Sequence, residues 1–262
     1  MVNKNTNIPI EDDPCDVIGK AMRGMAIDKA TLANHTGLTE NKITSILSGE
    51  IDSTAFQKLA PSLNLSATAL ANLSSYRPEV LAPEHMNIFT SPYGHAGVNA
   101  YIISQEDKAI VFDTGTDAAP ILQFLSEKQL TLAAVVITHN HNDHTSSLKD
   151  FGATPVFFPE DMRHQERYNL GGIDITALDV SGHASPARAY YHANLTKPVC
   201  ILGDAIFAGS IGGTSSPSNY QLALRTIREN ILPLPTETIL GTGHGPLTNI
   251  KSEMKHNPFL AN

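Results

Sequence analysis

Hydrophobic positions in the first third of the chain recur at helical spacing. Val17, Ile18 and Ala21 fall on one face, Leu32 lies between Ala30 and Ala33 before a break at Gly37, and Ile43, Ile46 and Leu47 form a stripe ended by Gly49. Phe56, Leu59, Ala60 and Leu63 mark a fourth helix, and Leu70 with Leu73 a fifth. Thr39 and Ser66 stand where side chains would cap two of these helices. The pattern predicts a small all-helical domain over residues 14–75. SSYRPEVLAPEH, with two prolines, reads as a linker.

From residue 81 to 262 the period changes. VNAYIISQEDKAIVF predicts a hairpin turning at Glu106–Lys108, and LAAVVITH a buried strand. PVFF, IDITALDV, RAYYH, VCILGD and ETIL are further strands, with helices over 118–128 and 218–230. Such layered strands and helices place the chain in the mixed α and β classes.

Composition narrows the choices. Apolar residues make up 41% of 262, enough for a substantial core, and the net charge of -8 works against a general phosphate-backbone or anionic-membrane binder. The opening MVNKNTNIPIEDDPCDV lacks a secretory apolar stretch, and no run is long enough to span a bilayer, so a cytoplasmic protein with no membrane partner is expected. Cys15 and Cys200 cannot build a disulfide framework.

The chemistry concentrates just beyond the strand ending at Thr138. His139, His141, Asp143 and His144 offer four metal ligands within six residues. Imidazole and carboxylate donors without thiolate suit zinc, and also manganese or iron. Ser181-Gly182-His183, Gly203-Asp204 and Gly243-His244-Gly245 each follow a strand-like run and supply further candidates beside glycine.

Residues from about 87 to 260 resemble the metallo-β-lactamase superfamily, and within it the short glyoxalase-II-like hydrolases. THNHNDH, SGHASPA, GDAIFAGSIGGT and GTGHGPLT match four motifs of that family in order, and NPFL resembles the short subgroup. The resemblance implies an α+β fold, an αββα sandwich, beside the helical N-terminal domain. It implies two divalent ions per chain. His139, His141 and His183 would hold one and Asp143, His144 and His244 the other, with Asp204 bridging. Asp143 and Asp204 would be the catalytic carboxylates, and Asp113 in IVFDTG would orient the first ligand loop from behind. Thr138 and Ser181 are weaker candidates for positioning, and His95 for facing substrate.

The implied activity is a metal-dependent thioesterase of hydroxyacylglutathione-hydrolase type, with lactones or other esters as the alternative small-molecule substrates. Gly213 stands where many relatives carry arginine, and only 18 residues follow His244, which leaves out the helical C-terminal domain of full-length glyoxalase II. A β-lactamase is disfavoured.

The run 28–70 also resembles the Cro/phage-repressor-type helix-turn-helix family, through Ala33, Gly37, Leu38, Ile43 and Gly49. That likeness implies a recognition helix exposing Glu40, Asn41, Lys42, Thr44 and Ser45 to DNA, in a metal- or metabolite-sensing regulator. Residues 14–75 balance five basic against five acidic side chains, which leaves DNA contact and a homodimerisation or docking module as alternatives.

Overall fold

The computed structural model describes residues 8–94 and 97–261. Its first helix, α1 (Pro14–Gly24), starts on a proline whose missing N–H costs nothing there, and the Asp16 carboxylate accepts from the Asp13 N–H at 3.0 Å. In α2 (Lys29–Thr36) the Asp28 side chain caps the Thr31 N–H, and Gly37 ends the helix in the left-handed region at φ 68°. Thr39 and Ser66 cap α3 (Glu40–Leu47) and α5 (Ala67–Asn72), with α4 (Ser53–Ser62) between them.

These helices do not close a core of their own. Ile18, Leu32, Ile46, Leu63 and Leu73 belong to the same buried cluster as Leu202, Ile206, Ile227, Leu240 and Phe259 from the rest of the chain. A Cβ on Gly24 would overlap the Tyr220 ring, so α1 lies directly on a later helix.

Strands β1 (Met86–Ser91), β2 (Val98–Gln105) and β3 (Lys108–Phe112) run antiparallel in turn. Helix α6 (Ala119–Glu127) then leads to β4 (Thr131–Val136), parallel to β3. The one-turn α7 (Asn142–Thr145) precedes β5 (Val156–Phe157), which completes a five-stranded sheet in sequence order.

The second sheet is built from β6 (Arg167–Leu170), β7 (Ile173–Asp179), β8 (Arg188–His192) and β9 (Val199–Gly203). A two-stranded ribbon, β10 (Ile206–Phe207) with β11 (Ser210–Ile211), and α8 (Pro217–Asn230) intervene. Then β12 (Ile239–Thr242), β13 (Thr248–Asn249) and α9 (Ile250–His256) close the chain. The strand order is β13-β12-β9-β8-β7-β6.

Tyr101, Ile103, Phe112 and Val136 of the first sheet share one cluster with Ile175, Ala177, Tyr190 and Ile201 of the second. Helix α6 covers the outer face of the first sheet through Ile121 and Leu125. Helices α1 and α8 belong to the core on the other side. The result is the expected α+β sandwich of two sheets between helical layers. ETIL begins pairing only at Ile239. β1 and α9 had no clear signal, because MNIFTS lacks clean alternation and IKSEMKH is mostly polar.

A buried carboxylate ties the pieces together. Glu253 accepts from Tyr76 Oη (2.8 Å), Thr248 Oγ1 (2.6 Å), Gly209 N–H (2.9 Å) and Asn257 Nδ2 (2.8 Å). One side chain of α9 therefore fixes the exit of the helical segment and the turn of the β10–β11 ribbon.

Candidate metal centre

Each candidate ligand sits just beyond a strand. His139 and His141 follow β4, with Asp143 and His144 on α7. His183 follows β7, Asp204 follows β9, and His244 follows β12. Side chains up to 105 residues apart therefore meet at one edge of the sandwich. They form two groups whose donor atoms lie within 4.8 Å of one another: His139, His141, His183 and Asp204 in one, Asp143, His144 and His244 in the other.

Asp204 faces both groups. Its Oδ2 lies 3.4 Å from His183 Nε2, 3.9 Å from His139 Nε2 and 3.5 Å from His244 Nε2. Its Oδ1 lies 3.3 Å from His144 Nε2. Asp143 Oδ2 stands 3.2 Å from His244 Nε2 and 3.5 Å from His144 Nε2.

Glycine makes this convergence sterically feasible. A Cβ on Gly243 would overlap Asp204 Oδ1, and one on Gly203, at φ 52°, would overlap Thr138 Oγ1.

The opposite ring nitrogens are held from behind. His183 Nδ1 meets the Gly213 carbonyl at 2.6 Å and His244 Nδ1 the Gly97 carbonyl at 2.7 Å. His144 Nδ1 meets Asp113 Oδ2 at 2.8 Å. Asp113 also accepts from the Thr138 N–H and hydroxyl, both at 2.8 Å, and that hydroxyl oxygen is 3.0 Å from His139 Nδ1. Such partners fix each ring with Nε2 turned to the centre. Asp113 is buried at φ 55°, a left-handed conformation that aspartate tolerates better than most residues. Ser181 Oγ donates to Asp179 Oδ1 at 2.6 Å, closing the turn ahead of His183.

The electrostatics divide the histidines. Burial pushes His139 down to about 3 and lowers His183 as well. Burial opposes the charge of His144 and His244 too. There Asp113 and Asp204 lift His144 well above its ordinary value, and Asp143 and Asp204 push His244 up to about 10. Burial would raise Asp204, but the surrounding imidazoles hold it well below the carboxylate range.

His144 Nε2 and Asp204 Oδ1 are both buried without a hydrogen-bond partner among the described residues, although they lie 3.3 Å apart. Orphaned buried donors and acceptors are costly, and two aimed into one space fit a cation that would ligate both.

Sequence reading missed three neighbours. The ring of Phe207 stands 5.6 Å from that of His244 and nearly perpendicular to it, and the half-exposed Tyr93 stands 5.8 Å away on the loop that includes His95, itself outside the described residues. Lys20, from α1, donates to the Ile211 carbonyl at 2.8 Å. Only the position of Tyr93, in the loop ahead of β2, carried any signal.

The helical surface is different. Glu40, Asn41, Thr44 and Ser45 are exposed on α3, but Lys42 is held by Glu50 at 2.5 Å and Asp52 at 2.6 Å. Among the described residues no helix is long and apolar enough to cross a membrane.

Comparison with known proteins now decides the family. Residues 93–157 match the model of the metallo-beta-lactamase superfamily. A probable metallo-hydrolase of Bacillus subtilis, YqgX, is 30% identical over 207 residues, covering 64% of this chain and 95% of that protein. The chain belongs to the metallo-β-lactamase superfamily. The hydroxyacylglutathione hydrolase GloC of Haemophilus influenzae is 29% identical, with 67% of this chain and 98% of that one covered. Among solved structures, the BLEG-1 B3 metallo-beta-lactamase aligns at 28% identity and a TM-score of 0.58, over 67% of this chain and all (100%) of its own. With that fold and two His/Asp clusters able to bind divalent ions, this superfamily member is a dinuclear metal-dependent hydrolase.

Proposed function

We infer that the protein is a thioesterase of hydroxyacylglutathione-hydrolase type that uses two divalent ions, zinc foremost. In this reading His139, His141 and His183 hold one ion and Asp143, His144 and His244 the other, with Asp204 between them. The observation that carries it is the Asp204 carboxylate, which faces both ligand groups and leaves an orphaned oxygen toward His144. The nitrogen and oxygen donor set suits zinc and equally accommodates iron or manganese.

Bound there, the cations would polarise an acyl carbonyl and bring water toward hydroxide character near neutral pH. The chain supplies the rest. The carbonyls of Gly97 and Gly213 hold the Nδ1 protons of His244 and His183, so those rings present a neutral Nε2 when loaded. Asp113 does the same for His144 and, through the Thr138 hydroxyl, for His139. Phe207 and Tyr93 flank His244 and give the approach an aromatic side. The similarity to GloC supports the glutathione thioester; a lactone or other ester would make the same demands on these residues.

Elemental analysis combined with a panel of thioesters, lactones, β-lactams and phosphodiesters tests the reading. Close to two metals per chain and turnover led by thioesters are expected. Preference for lactones would move the substrate without moving the site. One metal, with activity restored by iron and oxygen alone, would replace it with a dioxygenase.

The regulator reading comes second. The Gly37 turn and the Thr39 cap give α2 and α3 a helix–turn–helix order. The ion pairs of Lys42 neutralise the cation that a phosphate contact would use. Sequence-selective retention from a random duplex pool at moderate salt would revive it.

A further inference from the structure

The segment ahead of α1 lies against the metal centre. Pro9, Ile10 and Glu11 cross the backbone just after His244: a Cβ on Gly245 would come within 3.3 Å of the Glu11 nitrogen, 3.4 Å of the Pro9 carbonyl oxygen and 3.8 Å of Ile10 Cα. The next residue anchors this arm. Asp12 is paired with Lys20 of α1, both nearly buried, and the same ammonium donates to the Ile211 carbonyl in the ribbon after Asp204. It also lies 5.1 Å from the centre of the Phe207 ring, beside His244. The arm and α1 thus form a wall beside the His244 side of the metal centre.

Glu11 is the unexplained group in that wall. Its Oε2 is buried without a hydrogen-bond partner among the described residues, and its carboxyl lies within electrostatic reach of His244 and Asp204. The nearby cation is already committed, because Lys20 holds Asp12 and Ile211. A buried acceptor left unmade costs on the order of 1–3 kcal/mol, so its place in the wall calls for a donor brought by something else. A positively charged donor complements it best, because it neutralises the carboxylate as well as filling the lone pair.

We propose that Glu11 is a specificity-determining residue of the hydrolase, and that its free carboxylate oxygen binds an ammonium group on the acyl substrate. The helical segment, through α1 and the Asp12–Lys20 clamp, is then part of the substrate site. This rests on the hydrolase reading above, and the test separates the two.

Three thioesters identical except for one substituent, ammonium, hydroxyl or methyl, would be compared on metal-loaded wild type and Glu11→Gln, with metal content and melting temperature measured on both. The wild type is expected to prefer the ammonium compound. Glu11→Gln should lower that preference over methyl by about 10-fold or more, mainly through KM, as loss of a charge-assisted hydrogen bond implies. An unchanged ammonium-to-methyl ratio, or an equal loss on the hydroxyl compound, would overturn the assignment. Calorimetric binding of the corresponding uncleavable thioethers reads the same preference without turnover. Ammonium-selective binding that Glu11→Gln abolishes, in a protein that cleaves no thioester, would overturn the thioesterase reading and uphold Glu11. If Glu11→Gln loses metal or melts early, Glu11→Asp takes its place, and an ammonium preference that persists when the shorter side chain withdraws the carboxylate would likewise overturn it.

Discussion

The two halves of the metal centre share a chemistry and differ in enclosure. His141 is exposed and His183 partly so, whereas Asp143, His144 and His244 are all buried. In the open half burial lowers His139 and His183; in the enclosed half neighbouring carboxylates hold His144 and His244 above their ordinary values when no cation is there. Solvent therefore reaches the first half more readily, and the second is where the fold stores charge that a cation must displace.

The largest effect should come from the residue that joins the halves. Asp204→Ala should empty both and lower kcat/KM by roughly a thousandfold or more, since metal polarisation supplies several kcal/mol and each 1.36 kcal/mol is tenfold. Elemental analysis beside steady-state kinetics checks it. Retention of both ions would show that the halves do not depend on a shared carboxylate.

Next comes the brace. Asp113→Ala removes the partner of His144 directly and that of His139 through Thr138. A 10- to 100-fold loss of metal affinity is expected, as for other outer partners of ligating histidines. Chelator competition should show the enclosed half weakened more. Equal weakening would mean that the Thr138 relay matters as much as the direct contact.

His141→Ala should do less, because water can reach the vacated position on an exposed ligand. One ion should become easily exchanged while the other stays, with a moderate loss of activity. If both ions leave together, the open half is not the independent one.

What could be read in advance follows from the same contrast. The candidate ligands sit in short contiguous motifs at strand ends, so THNHNDH and GTGHGPLT announced them with little help from tertiary structure. A short apolar run buried throughout, such as VCILG, was equally legible as a strand. Glu11, Lys20 and Glu253 were not. Each acts beside a segment remote in the chain: Lys20 meets Ile211, Glu253 meets Tyr76 and Gly209, and the Glu11 backbone crosses Gly245. A charged residue in an amphipathic helix looks like a solvated face until the packing partner is known. The helical segment invited comparison with a separate module for that reason, while its apolar stripes are buried with Leu202 and Phe259 of the hydrolase layers.

The smallest effect is a pH dependence that only the metal-free protein should show. His244, at about 10, and His144, well above its ordinary value, bind protons more tightly folded than unfolded. Their contribution to stability is complete below the unfolded value near 6.5 and is lost as pH rises through the folded values. His139 and His183 shift the other way, so they change stability below 6.5 and leave the alkaline window to the enclosed half. The melting temperature of chelator-stripped protein should therefore fall by at least ~3 °C between pH 6.5 and 9.5. Metal loading should remove the slope, because the cation displaces those protons and binds better as pH rises. His244→Gln should flatten most of it in the stripped protein. A flat wild-type profile without metal would mean that Asp143 and Asp204 do not hold the enclosed histidines charged, and the electrostatic difference between the halves would be lost.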